Sequence, residues 1–238
     1  MPSSVYHHQT VLEFLTEALR NFRSTGAVWP SSPALAKAMT APLSQLAGER
    51  RVLEVGPGTG PFTKSILRKL RAGDRLDLVE INPTFCRKLE KSVLAPYRER
   101  HPSVAVHLHC APIEDAPVEG PYDLIVCGLP FNNFPPKLMR SIFRRMFELL
   151  KPEGELVYFE YAGVRAMKTP VLDSAGRARM RRIDAIGKSL RRQHDGRSEL
   201  VLANFPPAFA YHLAGAKTPS TRARSGSQRK AARVKGRA

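Results

Sequence analysis

The 238-residue sequence contains little cysteine, and its three cysteines form no metal-binding or disulfide pattern. Cys86, Cys110 and Cys127 include no C-x-x-C pair, and an odd number cannot pair completely. The sequence therefore predicts neither a zinc site nor a disulfide framework, and we expect no bound metal. This cysteine usage fits a reducing, cytoplasmic location.

Long apolar runs are also missing. No stretch approaches the roughly 18–20 apolar residues that span a bilayer. The first ten residues, MPSSVYHHQT, lack the basic-then-apolar pattern of a signal peptide. We therefore expect a protein that is neither exported nor membrane-spanning.

Acidic residues are scarce: 21 Asp and Glu stand against 38 Lys and Arg, which leaves a net charge of +17. This excess predicts an acidic partner, either nucleic acid or an anionic membrane. Residues 216–238 hold eight basic residues and no acid or aromatic, which predicts a disordered basic tail. A second basic stretch, 177–192, is predicted to be a helix whose seven basic residues either contact an anionic surface or face solvent.

Residues 11–22 carry apolar side chains at helical spacing, followed by arginines at the far end. This pattern predicts an amphipathic N-terminal helix. The helix either packs on the core or lies in a membrane interface, where apolar side chains enter the acyl boundary and arginines stay with the phosphates.

From residue 51 onward, short apolar runs alternate with helical stretches. The runs RVLEVG, RLDLVEI, VAVHLH, YDLIVCG and ELVYFEYA are separated by predicted helices over 62–71, 83–98 and 136–150. This alternation predicts an α/β fold with a mostly parallel sheet and helices on both faces.

The end of this region and the charge distribution suggest a division of the chain. A last strand is predicted at 199–205, at a sheet edge or strand end, because the prolines that follow cannot donate to the ladder. We expect an N-terminal helix and cap region over 1–48, one main domain over 49–215, and the tail over 216–238.

A glycine loop follows the first strand of the main domain. The glycines of 56–60 alternate with other residues, so the backbone can turn tightly and approach a ligand. Pro61 takes the place of the third glycine of the dinucleotide fingerprint, and no Gly-Lys-Ser/Thr follows as in a P-loop. Glu80 ends the next strand, where a carboxylate can accept both ribose hydroxyls of an adenosine cofactor.

The pattern E-x-G-x-G-x-G, with an acid ending the next strand, resembles the class I S-adenosylmethionine-dependent methyltransferases, whose fold is Rossmann-like. The resemblance implies S-adenosylmethionine as cofactor, with Glu54 and the glycine loop against its methionine part, Glu80 on the ribose and Ile81 on the adenine. No acid stands next to Cys110, so adenine contacts are expected from backbone and Ile113. The full predicted cofactor site is Ser31, Ser32, Glu54, Gly56, Pro57, Gly58, Gly60, Glu80, Ile81, Ala111, Ile113, Gly128 and Leu129.

The acceptor is expected beside the turn that follows the fourth strand, LPFNNFPP over 129–136. Amide oxygens suit an amine, which must be neutral and aligned to attack a sulfonium methyl group. Asn132 and Asn133 are predicted to orient the N–H bonds of this amine. Tyr161, at the end of the fifth strand, is predicted to hold a methylated ammonium by cation–π attraction, or else packs beneath a helix.

Three segments extend the likeness beyond the cofactor loop. GAVWPSS at 26–32, LPFNNFPP at 129–136 and NFPPA at 204–208 are similar, in this order, to segments of the bacterial phospholipid N-methyltransferase family. This resemblance implies successive methylation of a membrane aminolipid, phosphatidylethanolamine or ornithine lipid. An unusual basic stretch over 164–197 favours ornithine lipid.

Two other function classes remain open. Residues 128–131 are also similar to the N-L-P-Y type motif of ribosomal RNA adenine dimethyltransferases, although those enzymes carry an extra helical domain. An RNA adenine N6-methyltransferase would use the tail as a phosphate-binding arm, and a noncatalytic protein would use it as a tether. The resemblance favours a monomeric enzyme on the inner face of the cytoplasmic membrane, held by its basic residues and N-terminal helix, with nucleic acid as the partner to exclude.

Overall fold

The computed structural model describes residues 31–163 and 173–215. The predicted helix over 11–22, most of the segment over 26–32 and the predicted tail over 216–238 lie outside the described residues.

A single seven-stranded sheet forms the centre of the described structure, in the order β3-β2-β1-β4-β5-β7-β6. The pairings from β3 through β5 are all parallel, and only β7 runs antiparallel to its two neighbours. The mostly parallel sheet predicted from the apolar runs is therefore confirmed. The strands are β1 (Arg51–Val55), β2 (Arg75–Val79), β3 (Ala105–His109), β4 (Tyr122–Cys127), β5 (Leu150–Tyr161), β6 (Arg197–Val201) and β7 (Ala208–Ala214).

Six α-helices accompany the sheet in the described residues, and four of them begin with proline. Proline suits the first helical position because its fixed φ matches the helix and its missing N–H has no partner there. A π-helical turn, Glu90–Leu94, joins the third helix to the fourth. The helices are α1 (Pro33–Met39), α2 (Pro61–Leu67), α3 (Pro83–Leu89), α4 (Ala95–Arg100), α5 (Pro136–Leu149) and α6 (Ser174–Gln193).

Alternate side chains of the central strands pack into two hydrophobic clusters on opposite faces of the sheet. Leu53 and Val55 of β1 belong to the cluster beneath α5 and α6, whereas Val52 belongs to the cluster beneath α1 and α2. Leu35 and Met39 of α1 are buried in this second cluster. The described part of the predicted cap region therefore packs directly on the sheet.

A buried ion pair also fastens the predicted cap region to the sheet. Arg50 pairs with Asp74, and both side chains are almost fully buried. Nη1 and Nη2 of the guanidinium also donate to the carbonyl oxygens of Leu43 and Lys69, each at 2.8 Å. A buried charge pair is tolerated when its other hydrogen-bonding groups are satisfied, as they are here.

The prediction of a strand over 199–205 is wrong at its C-terminal end. β6 stops at Val201, residues 202–207 form a turn, and β7 was not predicted. β7 lies between β5 and β6, so β6 is at the sheet edge, as the prolines indicated. The buried face of β7 includes the small residues Ala208 and Ala210, which pack against α1 and form no apolar stripe in the sequence.

Candidate active site

A cleft opens at the carboxyl edge of the sheet, above β1, β2 and β4. The strand order reverses between β1 and β4, which is where open α/β sheets bind ligands. Six residues of the predicted cofactor site line this cleft together: Gly56, Glu80, Ile81, Ala111, Ile113 and Leu129.

The loops after β1 and β4 approach each other so closely that only glycine fits at their contact. Gly56 has a φ of +70°, and a Cβ there would lie 2.4 Å from Cδ2 of Leu129. A Cβ on Gly128 would lie 2.6 Å from the carbonyl oxygen of Gly56. The two loops therefore leave bare backbone at the floor of the cleft, where a bound molecule can come close.

Glu80 is held in a fixed position directly after the C-terminal end of β2. Its side chain is buried, at 3% exposure, and accepts hydrogen bonds from the backbone N–H groups of Gly58 and Asn82, each at 2.9 Å. Burial raises the pKa of Glu80, and these N–H groups oppose the rise. A carboxylate has about four acceptor positions, so two remain for ribose hydroxyls.

Glu54 provides a test of whether the site fits S-adenosylmethionine. Its carboxyl group is fully buried, and neither oxygen has a hydrogen-bond partner of ordinary geometry. Burial raises its pKa to about 8; Thr63 lies close enough to oppose this rise, and Glu80 adds to it. A buried carboxyl group without a partner calls for a ligand or water, and the ammonium of the cofactor's methionine part has the complementary charge. The residues present therefore fit this cofactor.

The third-strand loop contributes an acid that was missed in the sequence. Glu114 lines the cleft together with Ala111, Pro112 and Ile113. The position beside Cys110 holds no acid, but Glu114 stands four residues after Cys110 in the same loop, which lines the cleft.

The turn after β4 is anchored by aromatic side chains. Phe131 and Phe134 are buried, and the Phe131 ring packs edge-on against Tyr158 and lies 4.7 Å, centroid to centroid, from Phe143. Asn132 is half-buried at this turn, and the side chain of Asn133 is outside the described part. The acceptor roles of both asparagines stay predictions.

The end of β5 presents two polar residues on opposite faces. Tyr161 packs near Phe159, with ring centroids 5.2 Å apart, on the face that carries α1. Glu160 lies on the other face, the one that carries the Phe131 cluster, and is 4.0 Å from Arg191 of α6. The face of Leu129 and the cleft is therefore shared by Glu160 and not by Tyr161, whose predicted role remains a prediction.

Ser31 and Ser32 are not among the residues that line the cleft. Ser32 caps α1 by accepting the N–H of Leu35 at 3.1 Å. Its own N–H donates to Oδ1 of Asn204 at 2.9 Å, and an N–H of Asn204 Nδ2 donates to the carbonyl oxygen of Pro206. Asn204 thus joins two of the segments that carried the family resemblance, a role that sequence reasoning missed.

We expect Asn204→Ala to lower the free energy of unfolding by about 2 kcal/mol. The substitution leaves the N–H of Ser32 and the carbonyl of Pro206 without their partner, and unsatisfied groups of this kind cost about 1–3 kcal/mol. Urea unfolding measures the effect, with Ser198→Ala, exposed on β6, as the control. Equal stability of the two variants would show that the junction contributes nothing.

The parallel sheet, its glycine loop and the carboxylate ending β2 define a class I methyltransferase, with S-adenosylmethionine as methyl donor. Residues 52–154 match the family described as a methyltransferase domain. The chain is also 30% identical over 154 residues to an ornithine lipid N-methyltransferase of Singulisphaera acidiphila, covering 59% of this chain and 72% of that protein. The chain belongs to the S-adenosylmethionine-dependent methyltransferases.

Solved structures show the same fold. The O-methyltransferase TomG from Streptomyces achromogenes, in complex with SAM, is similar with a TM-score of 0.55 at 19% identity, over 85% of this chain and 90% of TomG. An O-methyltransferase from Bacillus cereus, in complex with SAH, gives a TM-score of 0.53 at 14% identity, over 84% and 90% of the two chains. Another relative, a polyketide synthase-nonribosomal peptide synthetase of Phaeosphaeria nodorum, is 28% identical over 173 residues, which are 71% of this chain and 4% of that protein.

Two further observations concern only residues 31–163 and 173–215. No helix there is long and apolar enough to cross a membrane. The same residues contain no group of three or more histidine, cysteine, aspartate or glutamate side chains that could hold a metal ion.

Proposed function

We propose that this protein methylates the primary amine of a membrane aminolipid in successive rounds, with ornithine lipid preferred over phosphatidylethanolamine. The similarity to an ornithine lipid N-methyltransferase, which covers 72% of that enzyme, carries the proposal. The bond between Ser32 and Asn204 supports it, because this bond brings together two segments that resemble the phospholipid N-methyltransferases.

When bound, S-adenosylmethionine supplies an electrophilic methyl group on a sulfonium sulfur, which leaves as a neutral thioether without a proton. The protein must therefore deliver an unprotonated amine and exclude water. We assign the orientation of the amine's N–H bonds to Asn132 and Asn133. We assign to Glu160, which is buried at the end of β5 on the same face as Phe131, the acceptance of the proton that the methylated ammonium releases between rounds.

We also propose that the protein acts at the cytoplasmic surface of the membrane, as a monomer. Six of the seven basic side chains of α6 between 177 and 192 are exposed, and Arg191 alone packs inward, against Tyr158 and Tyr211. Each basic residue near an anionic surface contributes about 1 kcal/mol of attraction, which salt screens. The predicted helix over 11–22 and the tail over 216–238 would add to this attraction.

Lipid analysis of an expressing host tests the function directly. The host should make both ornithine lipid and phosphatidylethanolamine, and the extracts should be compared by mass spectrometry with those of a host expressing Glu80→Ala. We expect a series of ornithine lipid species that carry one or more added methyl groups, absent in the control. Methylated adenine in RNA with unchanged lipids would contradict the proposal, as would no methylated product of either kind.

A further inference from the structure

The large apolar side chains that stand exposed in the described residues are concentrated in one short stretch. Leu200, Leu202 and Phe205 are 46%, 72% and 68% exposed, and they lie at the end of β6 and in the turn that follows it. Scattered exposed apolar residues need no explanation, but a contiguous exposed group indicates an interaction surface. We call residues 200–205 the apolar turn.

The apolar turn lies at the same edge of the sheet as the cofactor cleft. β6 and β5 are both antiparallel to β7, so they run in the same direction and end at the carboxyl edge. Asn204 is buried at 3% exposure and is bonded to Ser32 and Pro206. The backbone of the turn is therefore anchored while Leu202 and Phe205 point outward. Because the turn is already ordered, binding costs little conformational entropy there.

Helix α6 exposes basic side chains at this same edge of the sheet. A Cβ placed on Gly187 would lie 3.3 Å from Oε1 of Glu160, so this residue is level with the end of β5. The C-terminal end of α6 is at the opposite edge, where His194 contacts the carbonyl of Ala214 at 3.0 Å. With a rise of about 1.5 Å per residue, Ser174 lies roughly 20 Å beyond Gly187. Met180 and Ile183 of this N-terminal half are buried. Its outer face exposes four arginines: Arg177, Arg179, Arg181 and Arg182.

We infer that Leu202 and Phe205 insert into the surface of an anionic bilayer while the four arginines of α6 contact its phosphates. Apolar side chains beside a basic surface are the combination that binds a membrane interface. The choice of a bilayer rests on the proposed lipid substrate and on this charge complementarity. Docking by this edge faces the cofactor cleft toward the lipid amine, so a headgroup can enter without the lipid leaving the membrane.

Fluorescence of the full-length Phe205→Trp variant tests the insertion. Vesicles of phosphatidylcholine mixed with phosphatidylglycerol are added, and the wild-type spectrum, which comes from Trp29, is subtracted. We expect a blue shift with these vesicles and a much smaller one with phosphatidylcholine alone, because the arginines favour anionic lipid. An indole that is already blue-shifted without vesicles would overturn the inference, because the turn would then be covered by another part of the chain.

Cosedimentation with the same vesicles measures the contribution of the turn. The double variant Leu202→Ser/Phe205→Ser should partition about ten- to thirtyfold more weakly, because it removes two apolar side chains from the interface. Leu202→Met/Phe205→Leu, which stays apolar, should bind like the wild type. Unchanged binding of the serine variant, or a loss of thermal stability in place of binding, would overturn the inference.

The outcome can be separated from that of the proposed function. Vesicle binding needs no turnover, so it can succeed even if no lipid is methylated. Conversely, if the serine variant methylates aminolipid in detergent micelles at the wild-type rate but is slow on vesicles, both proposals hold. If the serine variant and the wild type methylated lipid in vesicles at equal rates, the turn would have no part in membrane docking. The proposed methylation would be unaffected by that result.

Discussion

Replacement of Glu80 by alanine should weaken the binding of S-adenosylmethionine by a factor of about 10² to 10⁴. The carboxylate is placed to accept two ribose hydroxyls, and hydrogen bonds to a charged group contribute about 1.5–3 kcal/mol each. It also holds the N–H groups of Gly58 and Asn82, so its removal frees the glycine loop. Isothermal titration calorimetry with the cofactor measures the change.

The matched control is Glu99→Ala, an exposed glutamate on α4. This variant should bind the cofactor with wild-type affinity. Circular dichroism should show that the Glu80→Ala variant remains folded, since it loses a buried carboxyl group whose pKa is raised by burial. If the affinity of a folded Glu80→Ala protein stayed within about threefold of the wild type, the ribose assignment would be wrong.

Replacement of Glu54 by glutamine should stabilise the free protein at high pH and weaken cofactor binding. The folded protein keeps the Glu54 proton up to about pH 8, whereas the unfolded chain releases it near the ordinary value of 4.5. Folding is therefore favoured at low pH, and this contribution is lost as the pH rises from 4.5 to about 8. The loss amounts to roughly 4 kcal/mol. Glutamine has no proton to lose, so the variant lacks this slope.

Urea unfolding between pH 5 and pH 9 measures the effect, with Glu153→Gln as the exposed control. The wild type and Glu54→Gln should be equally stable near pH 5 and should diverge by roughly 4 kcal/mol at pH 9. Cofactor affinity should fall about tenfold or more in the variant, because the ammonium loses its carboxylate. Parallel pH profiles for the two proteins would show that Glu54 titrates as an ordinary glutamate.

The cofactor also changes the protonation of Glu54. An ammonium placed beside the carboxyl group favours its ionised form, so binding near pH 7 should release a proton. Calorimetric enthalpies in buffers of different ionisation enthalpy report this release. The same group thus links cofactor binding, stability and pH, since burial of its charged form is costly in the free protein and a bound cation offsets this cost.

The sequence by itself determined the cofactor-binding half of the fold. Its strands are apolar runs that can be recognised from neighbouring residues alone. Glu54 lies within the first run, the glycine loop follows it, and Glu80 follows the second run, so pattern and spacing locate all three. β7 was beyond such reasoning, because Ala208 and Ala210 are buried by α1 from a distant part of the chain. The close approach of Gly56 to Leu129, which requires a glycine, likewise depends on two loops that meet only in the folded protein.

The tertiary structure alone decided which side chains share a site. It separated Tyr161 from Glu160 by the alternation of β5, added Glu114 to the cleft and joined Ser32 to Asn204 across 172 positions of sequence. The tertiary structure also determines where part of the protein's excess positive charge is exposed. In the basic stretch of α6, Arg191 packs inward and four arginines stay exposed on the N-terminal half, because only the helix face against the sheet is buried. The composition gives only the number of charges, whereas the fold determines which edge of the molecule exposes them.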